Sequence, residues 1–181
     1  MGKRKINAVV SLLTTVMLLI HAIVLSVCML TGCSIPQSAG MIAWILLGLV
    51  LTHALISIDL ALSAHAETET RKGKSYPKMN VSTIIQRASG ILMVPAAALH
   101  IAGATGTMTP PPAVHMIVPP LFFAIVLAHI AVSTSKAFIT LGIGNAKFIK
   151  VVNIVMKVIC GATFLAGVIG IYLRTFWGAA V

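Results

Sequence analysis

The sequence predicts an all-α membrane protein whose single domain consists of five transmembrane helices. Of its 181 residues, 59% are hydrophobic and only 9% are charged, whereas soluble proteins carry about a quarter charged residues. Five apolar stretches are long enough to cross a hydrocarbon core of about 30 Å at a rise of about 1.5 Å per residue. We expect each stretch to be a helix, because a helix satisfies its own backbone hydrogen bonds in lipid.

Polar segments set the predicted boundaries of these helices. The first stretch, about 7–29, follows the basic start MGKRK and ends before TGCSIPQSAG. The second, about 41–64, ends before HAETETRKGKSYPKMN, and the third, about 81–104, ends at GATGTMTPPPA. The last two cover about 114–135 and 148–173. Because the first stretch exceeds the apolar core of a signal peptide, about 7–15 residues, we expect it to span the membrane rather than be removed.

Lysine and arginine residues lie in alternate connections and predict the orientation. The net charge is +10, with three acidic residues. Bases precede the first span, fill the connection between the second and third, and flank the link between the fourth and fifth: Lys3, Arg4, Lys5, Arg71, Lys72, Lys74, Lys78, Lys136, Lys147 and Lys150. Arg174 alone falls on the opposite side. The positive-inside rule therefore places the N-terminus in the cytoplasm and the C-terminus outside. Since the bases flank apolar spans, they do not indicate a nucleic-acid partner.

Three cysteines are predicted to be small packing residues. Cys28 and Cys33 lie near the outer end of the first span, and Cys160 lies inside the fifth. The chain contains no CxxC or CxxCH motif. This disfavours covalently attached haem and an iron–sulfur site in the chain itself.

Each of the first four spans contains one histidine within its apolar run: His21, His53, His100 and His129. One such histidine is often a packing residue, but ionisable groups in lipid are costly, and four of them, one per helix, favour a functional role. His21 and His100 are predicted to lie nearer the outside. His53 and His129 are predicted to lie nearer the cytoplasm. Two neutral imidazoles at one depth suit bis-histidine ligation of haem iron, so the pattern predicts two haems.

Two other uses of the histidines fit the pattern less well. A zinc site would bring its ligands together at one depth. A proton relay would combine histidines with buried carboxylates, and Asp59 is the one acid within a span. Asp59 is predicted either to exchange protons at an inner quinone site or to pair with a base such as Lys136.

Polar residues at the inner ends of the third and fourth spans are candidates to bind a haem propionate or a quinone head group. Acidic propionates favour cationic, amide and hydroxyl donors. The candidates are Gln86, Arg87, Ser89, Ser135 and Lys136. Alternatively, Arg87 and Lys136 extend toward the lipid head groups.

Three segments place polar residues at fixed distances from a histidine. In IIQRASGILMVPAAALH (84–100), a Gln lies fourteen residues before His100, with a small residue and a Gly between them; in NAVVSLLTTVMLLIH (7–21), Asn7 lies fourteen residues before His21. In AHIAVSTSKAFITLG (128–142), a lysine follows His129 by seven residues. In these segments, and over nearly its whole length, the chain resembles the dihaem cytochrome b anchor of succinate dehydrogenases and quinol:fumarate reductases, in its single-chain, five-helix form.

The resemblance implies that His53 and His129 hold the inner of two b haems, and that His21 and His100 hold the outer one. It further implies a flavoprotein subunit with covalent FAD and an iron–sulfur subunit on the cytoplasmic face of the cell membrane. The chain itself would bind only haem and a quinone, with menaquinone favoured. Some members carry a glutamate directly before the fourth-helix histidine, where this chain has Ala128. Since no acid lies near the outer ends of the helices either, this difference argues against an outer proton route coupled to quinone chemistry.

Two alternative functions remain open at this point. One is the cytochrome b subunit of a membrane nitrate reductase, hydrogenase or formate dehydrogenase, although those proteins tend to place two haem ligands on one helix. The other is a transporter or assembly protein without a cofactor, which would show no haem absorbance.

Overall fold

The computed structural model describes residues 2–69, 81–107 and 111–176. Within these ranges the chain forms five helices and no strand: α1 (Lys3–Thr31), α2 (Gln37–Glu69), α3 (Val81–Ala104), α4 (Pro112–Leu141) and α5 (Ala146–Phe176). All five are long and apolar enough to cross a membrane. The predicted fold class is therefore confirmed, and the chain is a multi-pass membrane protein. Four bases of the predicted inner connection lie outside the described residues: Arg71, Lys72, Lys74 and Lys78.

The helices extend beyond most of the predicted boundaries. α3 covers the predicted range, but α2 continues to Glu69 and α4 to Leu141. Hydropathy marks where lipid ends, whereas a helix continues until a residue interrupts it. At α1 and α4 that residue is a glycine in the left-handed region, Gly32 and Gly142, each with φ of 75°. Glycine adopts this conformation without steric cost.

α1 and α4 form the centre of the bundle. α1 packs against α2, α4 and α5, and α4 packs against α1, α3 and α5. In the described part of the chain, the backbone of α2 approaches only α1, and the backbone of α3 approaches only α4. The first four helices therefore form a row, α2–α1–α4–α3, and α5 covers one side of its two central members.

Large apolar side chains lie on the outside of the bundle, as expected for a surface in contact with lipid. Examples of exposed residues are Leu13, Leu55, Ile91, Leu121 and Val158. The buried positions of α1 are instead small: Ala8, Thr14, Thr15, Ala22, Ser26 and Cys28. Small residues let transmembrane helices approach closely.

α1 and α5 pack closely at Gly170. A methyl group added at Gly170 would lie 2.7 Å from Cβ of Met29 and 2.8 Å from its carbonyl carbon. A methyl group at Gly167 would lie 2.5 Å from Phe123 of α4 and 3.0 Å from Oγ of Ser26. These two glycines let α5 lie against both central helices.

Candidate functional site

His53 of α2 is half-buried, and α1 holds one of its ring nitrogens. Its Nδ1 lies 3.0 Å from Oδ1 of Asn7, and Nδ2 of Asn7 donates to Oγ of Ser57 at 3.1 Å. An amide oxygen can only accept, so Nδ1 of His53 carries the hydrogen. The other nitrogen, Nε2, then has the free lone pair that a metal ligand requires.

His129 of α4 has the same arrangement, provided by α3. Its Nδ1 lies 3.1 Å from the backbone carbonyl oxygen of Gln86 and 3.1 Å from Oγ of Ser89. The Ser89 hydroxyl donates to the Ile85 carbonyl at 2.6 Å, so it also acts as an acceptor toward the ring. Nδ1 of His129 is therefore the protonated nitrogen, and Nε2 keeps its lone pair.

Gly90 allows the His129 ring to lie against α3. A Cβ atom at this position would be 3.3 Å from Cε1 and 3.7 Å from Nδ1 of His129. The first distance is shorter than an ordinary van der Waals contact. A side chain at position 90 would therefore press against the ring that Gln86 and Ser89 orient.

The outer histidines have different surroundings. Nδ1 of His21 is buried and has no hydrogen-bond partner among the described residues. The ring of His100 stacks on Phe122, with centroids 4.7 Å apart and planes inclined by 16°. A buried polar atom without a partner costs roughly 1–3 kcal/mol. His21 is therefore suited to a bound group that engages its ring.

The structure brings the four histidines together as two pairs. His100 lies close enough to His21, and His129 close enough to His53, for a charge on one ring to affect the other. The two pairs lie at different levels of the bundle. Asn7, which contacts His53, precedes His21 by fourteen residues on α1, which corresponds to about 21 Å along the helix axis.

The number of candidate ligands at each level of the bundle also indicates which kind of metal site the chain can form. Among the side chains that the structure describes, no three His, Cys, Asp or Glu groups lie close enough to hold one metal ion. Protein zinc sites use three or four such ligands. Bis-histidine ligation of haem needs only the two imidazoles that each level provides.

A polar cavity of about 260 Å³ opens on the N-terminal side of α1, next to His53. Its cations are Arg4 and Lys136. Nζ of Lys136 donates to Oε1 of Gln86 at 2.7 Å and to Oγ1 of Thr83 at 3.2 Å. The lining residues are Arg4, Asn7, Ala8, Ser11, His53, Leu60, Gln86, Ser133, Lys136, Ala137 and Thr140.

The five residues predicted to bind a haem propionate or a quinone fall into three groups according to their contacts. Gln86 and Lys136 line the cavity and contact each other. Ser89 contacts His129 instead. Arg87 is exposed and Ser135 is buried, and neither lines the cavity. The ligand role of all five stays a prediction.

Asp59 pairs with a base other than the predicted one. Its Oδ2 lies 2.9 Å from Nζ of Lys3, and the two side chains are 50% and 71% exposed. The predicted pairing with a base is therefore observed, but with Lys3 rather than with Lys136, because the C-terminal part of α2 lies against the start of α1. An ion pair this exposed contributes at most about 1 kcal/mol to stability. A role of Asp59 in proton transfer stays a prediction.

Sequence reasoning did not identify Arg4, Asn7, Ser11 and Ser133 as site residues. The signal for Asn7 was its spacing of fourteen residues from His21, the same as between Gln86 and His100. In the structure, Asn7 and Gln86 each contact the inner histidine of the neighbouring helix, rather than one on their own helix.

Comparison with known proteins identifies no relative. The chain matches no protein-family model, and no match is found among curated proteins or among solved structures. The functional interpretation therefore depends on the histidine pairs and the polar cavity.

Proposed function

We propose that the chain is the membrane-anchor cytochrome b subunit of a succinate:quinone oxidoreductase or quinol:fumarate reductase. It carries two b haems between a cytoplasmic flavoprotein and iron–sulfur subunit pair and the quinone pool of the cell membrane. One observation carries the proposal. The Nδ1 atoms of His53 and His129 each meet an oxygen that only accepts, which leaves both Nε2 atoms available to iron.

Each histidine would hold haem iron as a neutral ligand. His53 and His129 would hold the inner haem, and His21 and His100 the outer one. Haem b would supply reversible one-electron transfer at its iron. Asn7 and the Gln86 carbonyl would fix the orientation of the inner imidazoles and raise their basicity, as groups that hydrogen-bond to metal-ligating histidines commonly do.

The polar cavity would bind acidic or carbonyl oxygen atoms close to the inner histidines. The Arg4 guanidinium and the Lys136 ammonium supply positive charge there, and Gln86 supplies an amide. Charge-assisted hydrogen bonds of this kind suit a haem propionate. They also suit the head group of a quinone, for which the cavity has polar and apolar walls.

The same end of the bundle would face the soluble partner subunits. Lys3, Lys5, Lys147 and Lys150 are exposed there. This charge agrees with a cytoplasmic location under the positive-inside rule. It would also attract an acidic surface on the iron–sulfur or flavoprotein subunit.

The first test is a dithionite-reduced minus oxidised spectrum of the chain purified with its native partners, combined with a pyridine haemochrome assay. We expect two b haems per chain. One haem would mean that a histidine pair is structural. A well-folded preparation without haem would contradict the proposal and would favour a transporter or assembly protein.

Single substitutions then test the ligands. His53→Ala and His100→Ala should each remove one haem, and their redox difference spectra should differ because they lose different haems. His115→Ala is the matched control, because it removes a histidine that the proposal does not use. It should keep both haems. Loss of haem in this control and in the two ligand variants alike would indicate a general folding defect.

A further inference from the structure

Cys28 and Cys33 lie on either side of the glycine that ends α1. The helix ends at Thr31, and Gly32 has φ of 75°, in the left-handed region. In helices that end this way, the residue after the glycine commonly folds back and contacts the residue five positions before it. Cys28 and Cys33 occupy these two positions. Both are free thiols, and the Cys28 Sγ donates to the backbone carbonyl of Ser34, the residue after Cys33, at 3.8 Å.

Arg174 of α5 holds the two cysteines in place. Its Nη2 donates to the backbone carbonyl of Cys28 at 3.0 Å and to that of Cys33 at 3.1 Å. The Cys28 carbonyl belongs to the last turn of α1, where carbonyl groups have no partner within the helix. One guanidinium nitrogen therefore joins both cysteine backbones, so the position of the pair depends on helix packing as well as on the turn.

The two thiols differ in access. Cys28 is only 5% exposed, whereas Cys33 is exposed. The neighbouring Cys28 thiol lowers the pKa of Cys33, and the nearby charge of Arg174 lowers it further. A thiolate is the reactive form in disulfide exchange. Cys33 is therefore the better placed of the two to attack a disulfide in another protein.

We propose that Cys28 and Cys33 form an intramolecular disulfide by exchange with a dithiol oxidase of the extracytoplasmic compartment, which acts in its disulfide form. The proposal depends on the predicted orientation, which places the end of α1 outside, where disulfides persist. It does not depend on haem. Because Cys33 is exposed, its side chain can rotate toward Cys28 without displacing a packed core.

The exchange has two steps. The Cys33 thiolate attacks one sulfur of the oxidase disulfide, and the other oxidase sulfur leaves as a thiolate. The Cys28 thiol then loses its proton, attacks Sγ of Cys33 and releases the second oxidase sulfur. Two electrons and two protons pass to the oxidase, which becomes a dithiol, and one sulfur–sulfur bond forms between Cys28 and Cys33.

The test blocks free thiols in intact cells with membrane-permeant N-ethylmaleimide. Intact masses of the purified, denatured chain are then measured after further alkylation without reductant, and again after reduction and alkylation. We expect one adduct, on Cys160, without reductant and three adducts after reduction. Blocking before lysis prevents oxidation by air during purification. Three adducts without reductant would overturn the proposal.

Two variants serve as matched controls. Cys160→Ser should give no adduct before reduction and two after it. Cys33→Ser should give two adducts under both conditions, because Cys28 has lost its partner. The proposal is contradicted if the disulfide persists in Cys33→Ser. These masses are measured on denatured protein, so they do not depend on correct folding of a variant.

A trapping experiment tests the order of the steps. In Cys28→Ala, Cys33 can form the mixed disulfide, but no second thiol resolves it. We expect this variant to accumulate a covalent, reductant-sensitive complex with the oxidase, detected as a shifted band on a non-reducing gel. Cys33→Ala should accumulate little, because Cys28 is buried. Equal or greater trapping in Cys33→Ala would overturn the assignment of Cys33 as the attacking thiol.

Discussion

At the scale of single residues, Asn7 is the contact that most directly links the sequence to the proposed chemistry. Its Oδ1 accepts from the His53 ring, and its Nδ2 donates to Ser57. Asn7→Leu keeps a similar volume but removes both interactions. Loss of such a hydrogen bond typically weakens metal binding about 10–100-fold. We expect the inner haem to dissociate first when the purified variant is diluted, measured as loss of about one of two haems.

The control for Asn7→Leu is Ser11→Ala. Ser11 lines the same cavity, but its hydroxyl donates to the Ala8 carbonyl of its own helix at 3.1 Å. This variant should keep both haems under the same dilution. Equal haem loss in the two variants would mean that the cavity as a whole, rather than the bond to His53, determines haem retention.

Gly90 offers a second test at the residue scale. In Gly90→Ala the new methyl group would lie 3.3 Å from Cε1 of His129, so the ring must shift by a few tenths of an ångström. We expect weaker binding of the inner haem, measured by haem titration, with a shifted spectrum of that haem. Gly103→Ala on the same helix is the control, because a methyl group there meets nothing within 4 Å.

The two alanine variants share one background effect, which makes the comparison informative. Replacement of glycine by alanine in a helix interior stabilises the helix by up to about 1 kcal/mol. If Gly90→Ala and Gly103→Ala bound haem equally well, His129 would not depend on close contact with α3. That result would contradict its assignment as an oriented ligand.

At the scale of helices, the contact between α1 and α5 depends on Gly170. Gly170→Ala would place a methyl group 2.7 Å from Cβ of Met29 and 2.9 Å from the Leu30 nitrogen. Backbone atoms cannot move aside as a flexible side chain can, so the helices must separate. We expect a loss of about 1–3 kcal/mol in stability, measured as a lower midpoint of thermal or denaturant unfolding in detergent.

Gly161→Ala is the matched control on α5, because a methyl group at that position meets nothing within 4 Å. Its unfolding midpoint should equal or exceed that of the unmodified chain. If Gly170→Ala unfolded at the same midpoint as Gly161→Ala, α1 and α5 would not pack as closely as the structure indicates.

At the scale of the whole molecule, the orientation can be tested with single cysteines. In a chain whose native cysteines are replaced by serine, Thr105→Cys and Lys147→Cys would each place one thiol at an exposed position near opposite ends of the bundle. We expect a membrane-impermeant maleimide added to intact cells to label position 105 but not position 147. After the membrane is opened, both should react. The reverse pattern would invert the predicted topology.

The extent of each helix shows what hydropathy can predict. The five apolar stretches appear as five helices, and the predicted third span matches α3. The ends of α2 and α4 were predicted too early, because polar residues outside lipid can still continue a helix. The helix α4 ends only at Gly142, whose left-handed conformation interrupts the helical hydrogen-bond pattern. Such a stop depends on one backbone angle rather than on average hydropathy.

The number of spans, the distribution of basic charge and the placement of one histidine on each of the first four helices follow from the amino-acid sequence alone. Each of these is a property of a single segment, set by hydropathy, charge and helical spacing. The folded bundle was needed to show that Asn7 contacts His53, that Lys136 donates to Gln86 and that Arg174 joins the backbones of Cys28 and Cys33. Those contacts depend on the rotation and the axial position of one helix relative to its neighbour. Small residues such as Gly90 and Gly170 influence both, because they allow the helices to pack closely.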